Sequence, residues 1–376
     1  MLLFGCSATA GMLVAPTFLD GAVAQRATPQ LPPPPPGGVM GFVVDRFAPA
    51  VPPGDGACPS GPVPRVRDAY LLTLPLEERA RLSQKSNEPE LTKRWQEWTL
   101  GPGGTNICSQ PDRFDRPAIP TVRSNRALGL DLDNGGATPS CVHASFTSPT
   151  GEKGIDNQAY RAMGCTPEWL TLGEGSEVAS GYRQFLASGE WTQVLLLQGV
   201  DSLERDDQVE VIYGNTPDRP LVDSEGQYLA GASFTISNKA PRHRNVLRGR
   251  IVAGVLTTEP AAIKLTQTWG QGGVKDIRGH RTAWTLKHAQ LRLTFQPDGG
   301  LRGLVGGYQP MFELVQAPSI GGVGSATVAG IDCAAQLKTL TALADGTPDP
   351  KTGQCTTIST ALDLRAVPAF VNDVSS

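Results

Sequence analysis

Short apolar runs with a period of two, cut apart by turn residues, constrain this chain more than any other feature. Val209, Val211 and Tyr213 alternate with Glu210 and Ile212. Ile263, Leu265 and Gln267 alternate with Lys264 and Thr266, and Leu291, Leu293 and Phe295 with Arg292 and Thr294. Side chains of a strand point alternately to its two faces, so each run makes a strand with one apolar face. Val194-Leu195-Leu196-Leu197 is continuous, as expected of a strand buried on both sides. Gly214-Asn215, Asp223 to Gly226, Ala253-Gly254 and Pro297-Asp298-Gly299-Gly300 are turn signals between the runs. No helices of 10 to 15 residues alternate with the strands, so a doubly wound parallel sheet is disfavoured. The pattern predicts a mainly β protein with an antiparallel β-sandwich or jelly-roll-like domain, its strands running from about Glu190 to Gly307 within residues 176–310.

The flanking regions read differently. Residues 41–175 are loop-rich, with Pro49, Pro52, Pro53, Pro59, Pro62 and Pro64 excluding long regular elements early on. One helix is expected over Asn87–Trp98, where Leu91, Trp95 and Trp98 share a face, and another over Ser176–Ser188, capped by Ser176 and ended by Gly189. Residues 311–376 read as a helix-plus-strand extension packed on the sandwich, with a helix near Asp332–Ala344 and a strand through Val367 and Phe370.

Export is expected from the N-terminus. Residues 1–24 hold no Lys or Arg and end in Ala22-Val23-Ala24, the small-x-small pattern of a signal-peptide cleavage site, although the usual basic start is missing. Leu3-Phe4-Gly5-Cys6-Ser7 offers a second reading, a lipobox that would acylate Cys6. Residues 25–40 include Pro32 to Pro36, a stiff extended linker. Nothing further along reaches the roughly 20 apolar residues of a spanning helix. Without Cys6, the cysteines are Cys58, Cys108, Cys141, Cys165, Cys333 and Cys355. No CxxC pair suggests zinc or redox chemistry, so three disulfides are expected. Six cysteines allow fifteen pairings; sequence proximity favours Cys141–Cys165, Cys333–Cys355 and Cys58–Cys108.

With 33 basic and 36 acidic residues, the net charge of −3 argues against a nucleic-acid binder. GxSxG, GxxxxGK[ST] and HExxH are absent from the sequence, and no nucleotide, haem or flavin motif is present. The 4 histidines lack local metal-ligand spacing. The basic group Arg242, His243, Arg244, Arg248 and Arg250 could meet an anionic partner, but a solvated loop is the plainer account.

The densest polar constellation is Asp131-Leu132-Asp133-Asn134-Gly135-Gly136 with Gly154-Ile155-Asp156-Asn157-Gln158. Carboxylate and amide oxygens suit a hard cation such as calcium, and glycines let backbone fold around it. The metal ligands expected on this basis are Asp131, Asp133, Asn134 and Asp156, with Asn157 as a further oxygen donor. An EF-hand is excluded, since Gly135 takes its fifth position and no Glu stands at the twelfth. The plainer account is two Asx turns without an ion.

The stretches Gly129 to Asp133, Cys141-Val142-His143, Ser148-Pro149 and Gly154 to Gln158 through Gly164-Cys165 resemble a block of uncharacterised exported bacterial proteins. Gly249 to Leu256, Gly303 to Tyr308, Ala344-Asp345-Gly346, Thr352 to Cys355 and Ala366 to Phe370 resemble later blocks of that group. The resemblance implies export and supplies no activity. The Asp-Asn segment is also similar to aspartate-rich calcium loops of extracellular bacterial repeats, here without repetition.

These readings lead to a periplasmic or extracellular, non-catalytic binding or envelope-structural protein. Its partner would be a polysaccharide or another envelope protein. One alternative is a secreted polysaccharide hydrolase or lyase using Asp131, Asp133 and Asp156 as acid and base. Another is an accessory subunit of an exported redox system.

Overall fold

The computed structural model describes residues 31, 33–52, 57–133, 141–171, 183–189, 191–237, 242–268, 281–316 and 330–374. Its strands, in chain order, are β1 Met40–Pro49, β2 Phe146–Thr147, β3 Lys153–Ile155, β4 Gln193–Gln198, β5 Arg205–Asn215, β6 Ser233–Ile236, β7 Arg244–Val252, β8 Val255–Thr258, β9 Ala261–Thr268, β10 Arg281–Phe295, β11 Leu301–Pro310, β12 Gly346–Pro348 and β13 Cys355–Asp373. The helices are α1 Val66–Leu72, α2 Leu76–Leu82, α3 Glu88–Trp98, α4 Gln158–Met163, α5 Pro167–Leu170, α6 Met311–Gln316 and α7 Cys333–Leu343.

Eight strands pair in the order β1-β4-β5-β7-β8-β10-β11-β13, and β13 returns to β1. All these pairings are antiparallel, so the sheet is a closed barrel rather than the expected sandwich or jelly roll. The alternation does set the faces: Val209, Val211, Tyr213, Leu291, Leu293 and Phe295 all lie in the main core. A period of two, however, fits a sheet facing a second sheet and a sheet closed on itself equally well. Closure rests on β1 and β13, which lie outside the segment assigned to the sandwich. Val43 stands opposite Val367 and Phe47 opposite Leu364. The C-terminal strand is therefore a barrel stave and not an extension packed on one.

An eight-stranded barrel is just wide enough for side chains to fill its interior. Phe42, Val44, Leu195, Leu197, Leu247, Ile251, Leu256, Leu301, Leu362 and Leu364 do so here. Strands crowd one another at Gly303, where a Cβ would stand 2.0 Å from the Arg292 carbonyl oxygen. Val194 and Leu196, the other face of β4, pack under Phe234 and Ile236 of β6, which explains the unbroken apolar run. β6 itself adds to the end of β13 in parallel.

The second core lies in the N-terminal lobe and the C-terminal helices. Ile107, Val122, Phe146, Ile155, Tyr160, Cys165, Val315, Cys333 and Leu340 meet Ile358 of β13 there. A satellite of α1, α2 and α3 is built on Val66, Leu71, Leu82, Leu91 and Trp95. Leu91 and Trp95 are the buried face predicted for Asn87–Trp98, and the helix expected at Asp332–Ala344 is α7, capped by Asp332. Most of the Ser176–Ser188 helix, and residues 1–24, lie outside the described residues.

Three disulfides join the six cysteines as expected, with pairings that sequence proximity did not favour. The bonds are Cys58–Cys165, Cys108–Cys333 and Cys141–Cys355, separated by 107, 225 and 214 residues. The physical reason is that the entropy of closing a loop grows only with the logarithm of its length, so the fold decides the partners. Two of the bonds fasten the lobe to C-terminal elements: Cys333 opens α7 and Cys355 opens β13.

Candidate cation site

Asp131 and Asp156 approach through backbone pairing. Leu130 and Asp156 form an isolated antiparallel bridge, with the Asp156 N–H donating to the Leu130 carbonyl at 2.9 Å. The Leu132 N–H then donates to Asp156 Oδ2 at 2.8 Å. Gly154, at φ +79°, leaves room for the approach, since a Cβ there would stand 3.2 Å from Asp131 Oδ2. Carboxylate oxygens of Asp131, Asp133 and Asp156 consequently lie within 4.8 Å of one another. Oxygens that share one calcium at up to about 2.6 Å can be no more than about 5 Å apart, so the spacing meets that limit.

Asp156 is only 8% exposed, and Asp131 Oδ1 is buried without a hydrogen-bond partner. Burial pushes the Asp156 carboxyl up to about 7; the charges of Asp133, Asp345 and Asp131 add to this, and the Leu132 N–H opposes it. Like charges held together in a dry place favour either a bound proton or a bound cation.

Two residues that the sequence did not single out complete the surroundings. Asp345 follows α7, and its Oδ1 accepts from the Ser359 N–H at 2.6 Å. Burial raises its carboxyl to about 6, against the Ser359 hydrogen bonds and the nearby His143. Tyr308 of β11 feels all four aspartates, and burial first, then their charge, pushes its hydroxyl well above the ordinary value. The Ser359 hydroxyl accepts from the Gln158 N–H at 2.8 Å, linking the Asp345 side to the start of α4. Ala344-Asp345-Gly346 and Gly303 to Tyr308 stand in the sequence only as blocks of resemblance, with no signal of a shared site.

The structure brings three of the five expected ligands together. Asn134 lies outside the described residues. Asn157 is adjacent, but its side chain is spent on structure: Oδ1 accepts from the Tyr160 N–H at 3.1 Å as the cap of α4, and Nδ2 donates to the Leu128 carbonyl at 2.8 Å. The bond expected to tie the two acidic segments, Cys141–Cys165, is replaced by Cys141–Cys355, which joins Cys141 to the first residue of β13. The bridge between Leu130 and Asp156 performs the joining instead.

Of the basic group, Arg244 pairs with Asp373 at 2.6 Å, while Arg248 and Arg250 are exposed on the outer face of β7. Among the described residues no helix is long and apolar enough to cross a membrane, which leaves strands aside.

Fold and site define a closed antiparallel barrel with a disulfide-stapled lobe that carries an acidic, cation-sized cluster. Comparison with protein-family models, with curated proteins and with solved structures finds no match to this chain.

Proposed function

We propose that the protein acts in the periplasm or outside the cell as a non-catalytic binding or envelope-structural protein, stabilised by a calcium-type ion held by Asp131, Asp133 and Asp156. The observation that supports this is the convergence of three carboxylates within 4.8 Å, one oxygen of which is buried and unpartnered. An ion there would neutralise charge that burial otherwise makes costly. Three disulfides joining all six cysteines after Cys6 support an oxidising compartment, as does the resemblance to exported proteins. A polysaccharide or another envelope protein is the partner class in keeping with that location.

Melting curves test the ion. Calcium at a hundredfold over Kd stabilises the native state by about 2.7 kcal/mol, a chelator removes the gain, and Asp133→Ala abolishes it. Identical curves with calcium and chelator would leave hydrogen-bonded turns as the whole account of the cluster.

The second reading is a polysaccharide hydrolase or lyase. One observation favours it: the Asp156 carboxyl is raised to about 7 beside two further aspartates, the pairing of environments an acid/base couple needs. Release of reducing ends or unsaturated products from anionic and neutral polysaccharides, lost in Asp156→Asn, would replace the first reading with this one.

A further inference from the structure

β10 changes partners along its length. From Gln290 to Phe295 it lies in the barrel wall, where Gln290 stands opposite Gly306 of β11 and Leu293 opposite Leu256 of β8. Arg281 to Leu286 pair with β9 alone. Between the two halves the register shifts against both β9 and β11, and His288 takes a left-handed φ of 48°. A bulge of this kind turns a strand. β9 and the first half of β10 therefore form a two-stranded arm. Ile263, Leu265, Trp284 and Leu286 point from the arm into the main core. The Trp284 ring reaches Phe47 of β1, with centroids 5.1 Å apart, while Thr266 reaches Asn215 of β5. β4 separates β1 from β5, so the arm lies across one end of the barrel.

The seams of the closed barrel are backbone ladders, but the edges of the arm are held by side chains. Asn245 of β7 accepts from the Lys264 N–H at 2.9 Å and donates to the Lys264 carbonyl at 2.9 Å. Asn215 makes the same pair of bonds to Thr266, at 2.7 and 3.2 Å. On the β10 edge, Glu313 of α6 accepts from the Thr285 N–H at 2.8 Å. Beneath the arm one buried group lacks a partner. Gln193 opens β4 and alternates with Leu195 and Leu197, so it faces the barrel interior. It is 0% exposed, and its Oε1 accepts from the Tyr213 hydroxyl. Its Nε2 is buried and makes no hydrogen bond among the described residues. A buried donor left unmet is costly, and the rings of Phe47, Trp191 and Trp284 gather at the same end.

We propose that the arm is a lid, and that the barrel end beneath it takes an apolar molecule carrying one neutral hydrogen-bond acceptor, a carbonyl oxygen, for Gln193 Nε2. In water the four apolar side chains of the arm keep the lid shut. A ligand of this class offers them a new apolar partner and supplies the missing acceptor, so it favours the open form. The acceptor is neutral because a charged group would lose its water in an apolar surround. The site shares no residue with the carboxylate cluster and stands whether or not that cluster holds an ion.

Two measurements on the full-length, disulfide-intact protein test this. Hydrogen exchange reads the lid: the Lys264, Thr266 and Thr285 amides, bonded to side chains, should exchange at least tenfold faster than those of Val211 and Leu293 in the barrel ladders. Titration calorimetry reads the site, with acetophenone as the probe and ethylbenzene as the same frame without the oxygen. Acetophenone should bind saturably and at least tenfold tighter than ethylbenzene, and Gln193→Met should remove that preference. Should Gln193→Met fail to fold, Asn245→Ala takes its place: it loosens the latch, raises the open fraction and tightens acetophenone binding several-fold. Exchange of all five amides in one global step, absence of saturable binding in both wild type and Asn245→Ala, or equal affinity for the two probes overturns the proposal.

Discussion

The barrel and the lobe solve the same problem by different means. Barrel strands are long, up to 19 residues in β13, and alternation sends one face of each into a shared apolar interior. Closing the sheet pairs its edges with each other. The lobe has no comparable pattern: β2 has 2 residues, β3 has 3 and α5 has 4. Elements that short bury little surface and cannot hold position alone. Beside the second core, covalent and polar bonds hold them: the three disulfides, the Leu132 N–H on Asp156, and the Asn157 cap. Where a sequence lacks periodicity, specific bonds between distant residues fix the short elements around the core they share.

The largest effect should follow reduction of the disulfides. Each closes a loop of more than a hundred residues. On the chain-entropy model each such bond is worth about 4–5 kcal/mol, and together they rival the whole stability of a typical domain. Reduced protein should lose amide protection in α4 and α7 while β5, β7, β10 and β11 keep theirs, as hydrogen exchange would read. One concerted loss in both regions would break the comparison and make barrel and lobe a single folding unit.

Next in size is Leu293→Ala, a fully buried side chain of the barrel interior. A cavity there should cost about 2–5 kcal/mol in denaturant unfolding. The same truncation at Leu340, equally buried in the second core, should cost less in the global transition because the disulfides hold that region's unfolded chain together. Equal losses would mean that the lobe core contributes as the barrel core does.

The two regions also differ in how far their sequences disclosed them. Val209, Val211, Tyr213, Leu291, Leu293 and Phe295 announced their strands and their inward faces. Barrel closure was not legible, because the pairs that make it, such as Val43 with Val367, lie at opposite ends of the chain, and their pattern suits a sandwich as well. In the lobe the cysteine count disclosed three bonds but not their partners. The spacing of Asp131, Asp133 and Asp156 disclosed the cluster. Asp345 and Tyr308 could not be foreseen there, since α7 and the strands beside it bring them in from more than 150 residues away.

A third and smaller effect is the pH dependence of the cluster. The Asp156 carboxyl is held at about 7 and that of Asp345 at about 6, both above an ordinary aspartate near 3.8. The folded state therefore binds these protons more tightly than the unfolded chain. Stability from this source is fully present below about pH 4 and is lost as pH rises toward 6 for Asp345 and 7 for Asp156, on the order of a few kcal/mol in all. The charges of Asp131 and Asp133 act on Asp156 and on Tyr308, and that of His143 acts on Asp345. Without added metal, Asp156→Asn should flatten the decline of stability between pH 5 and 8. With calcium, the wild type should gain more at pH 8 than at pH 5, because the ion competes with the proton. A calcium gain independent of pH would place the ion away from Asp156.

The smallest effect tests whether polar bonds in the lobe act one at a time. Asp332 caps α7 through Oδ1, which accepts from the Ala335 N–H at 3.0 Å, while Oδ2 lies 3.6 Å from Arg116 Nε. Arg116 is stacked 3.4 Å over the Trp98 ring and donates to the Trp98 carbonyl at 2.7 Å. Asparagine caps a helix about as well as aspartate, so Asp332→Asn keeps the cap and removes only the charge. At 3.6 Å the ion pair is long, and Arg116 retains both its stacking and its hydrogen bond. The expected loss is about 1 kcal/mol, seen as a small shift of the denaturation midpoint with unchanged slope. Asp332→Ala removes cap and charge together and should cost about 1 kcal/mol more. A loss above about 3 kcal/mol in Asp332→Asn would mean that the guanidinium, desolvated between lobe and α7, depends on this carboxylate as a buried ion pair does. The lobe would then rest on one ionic contact as heavily as the barrel rests on a leucine.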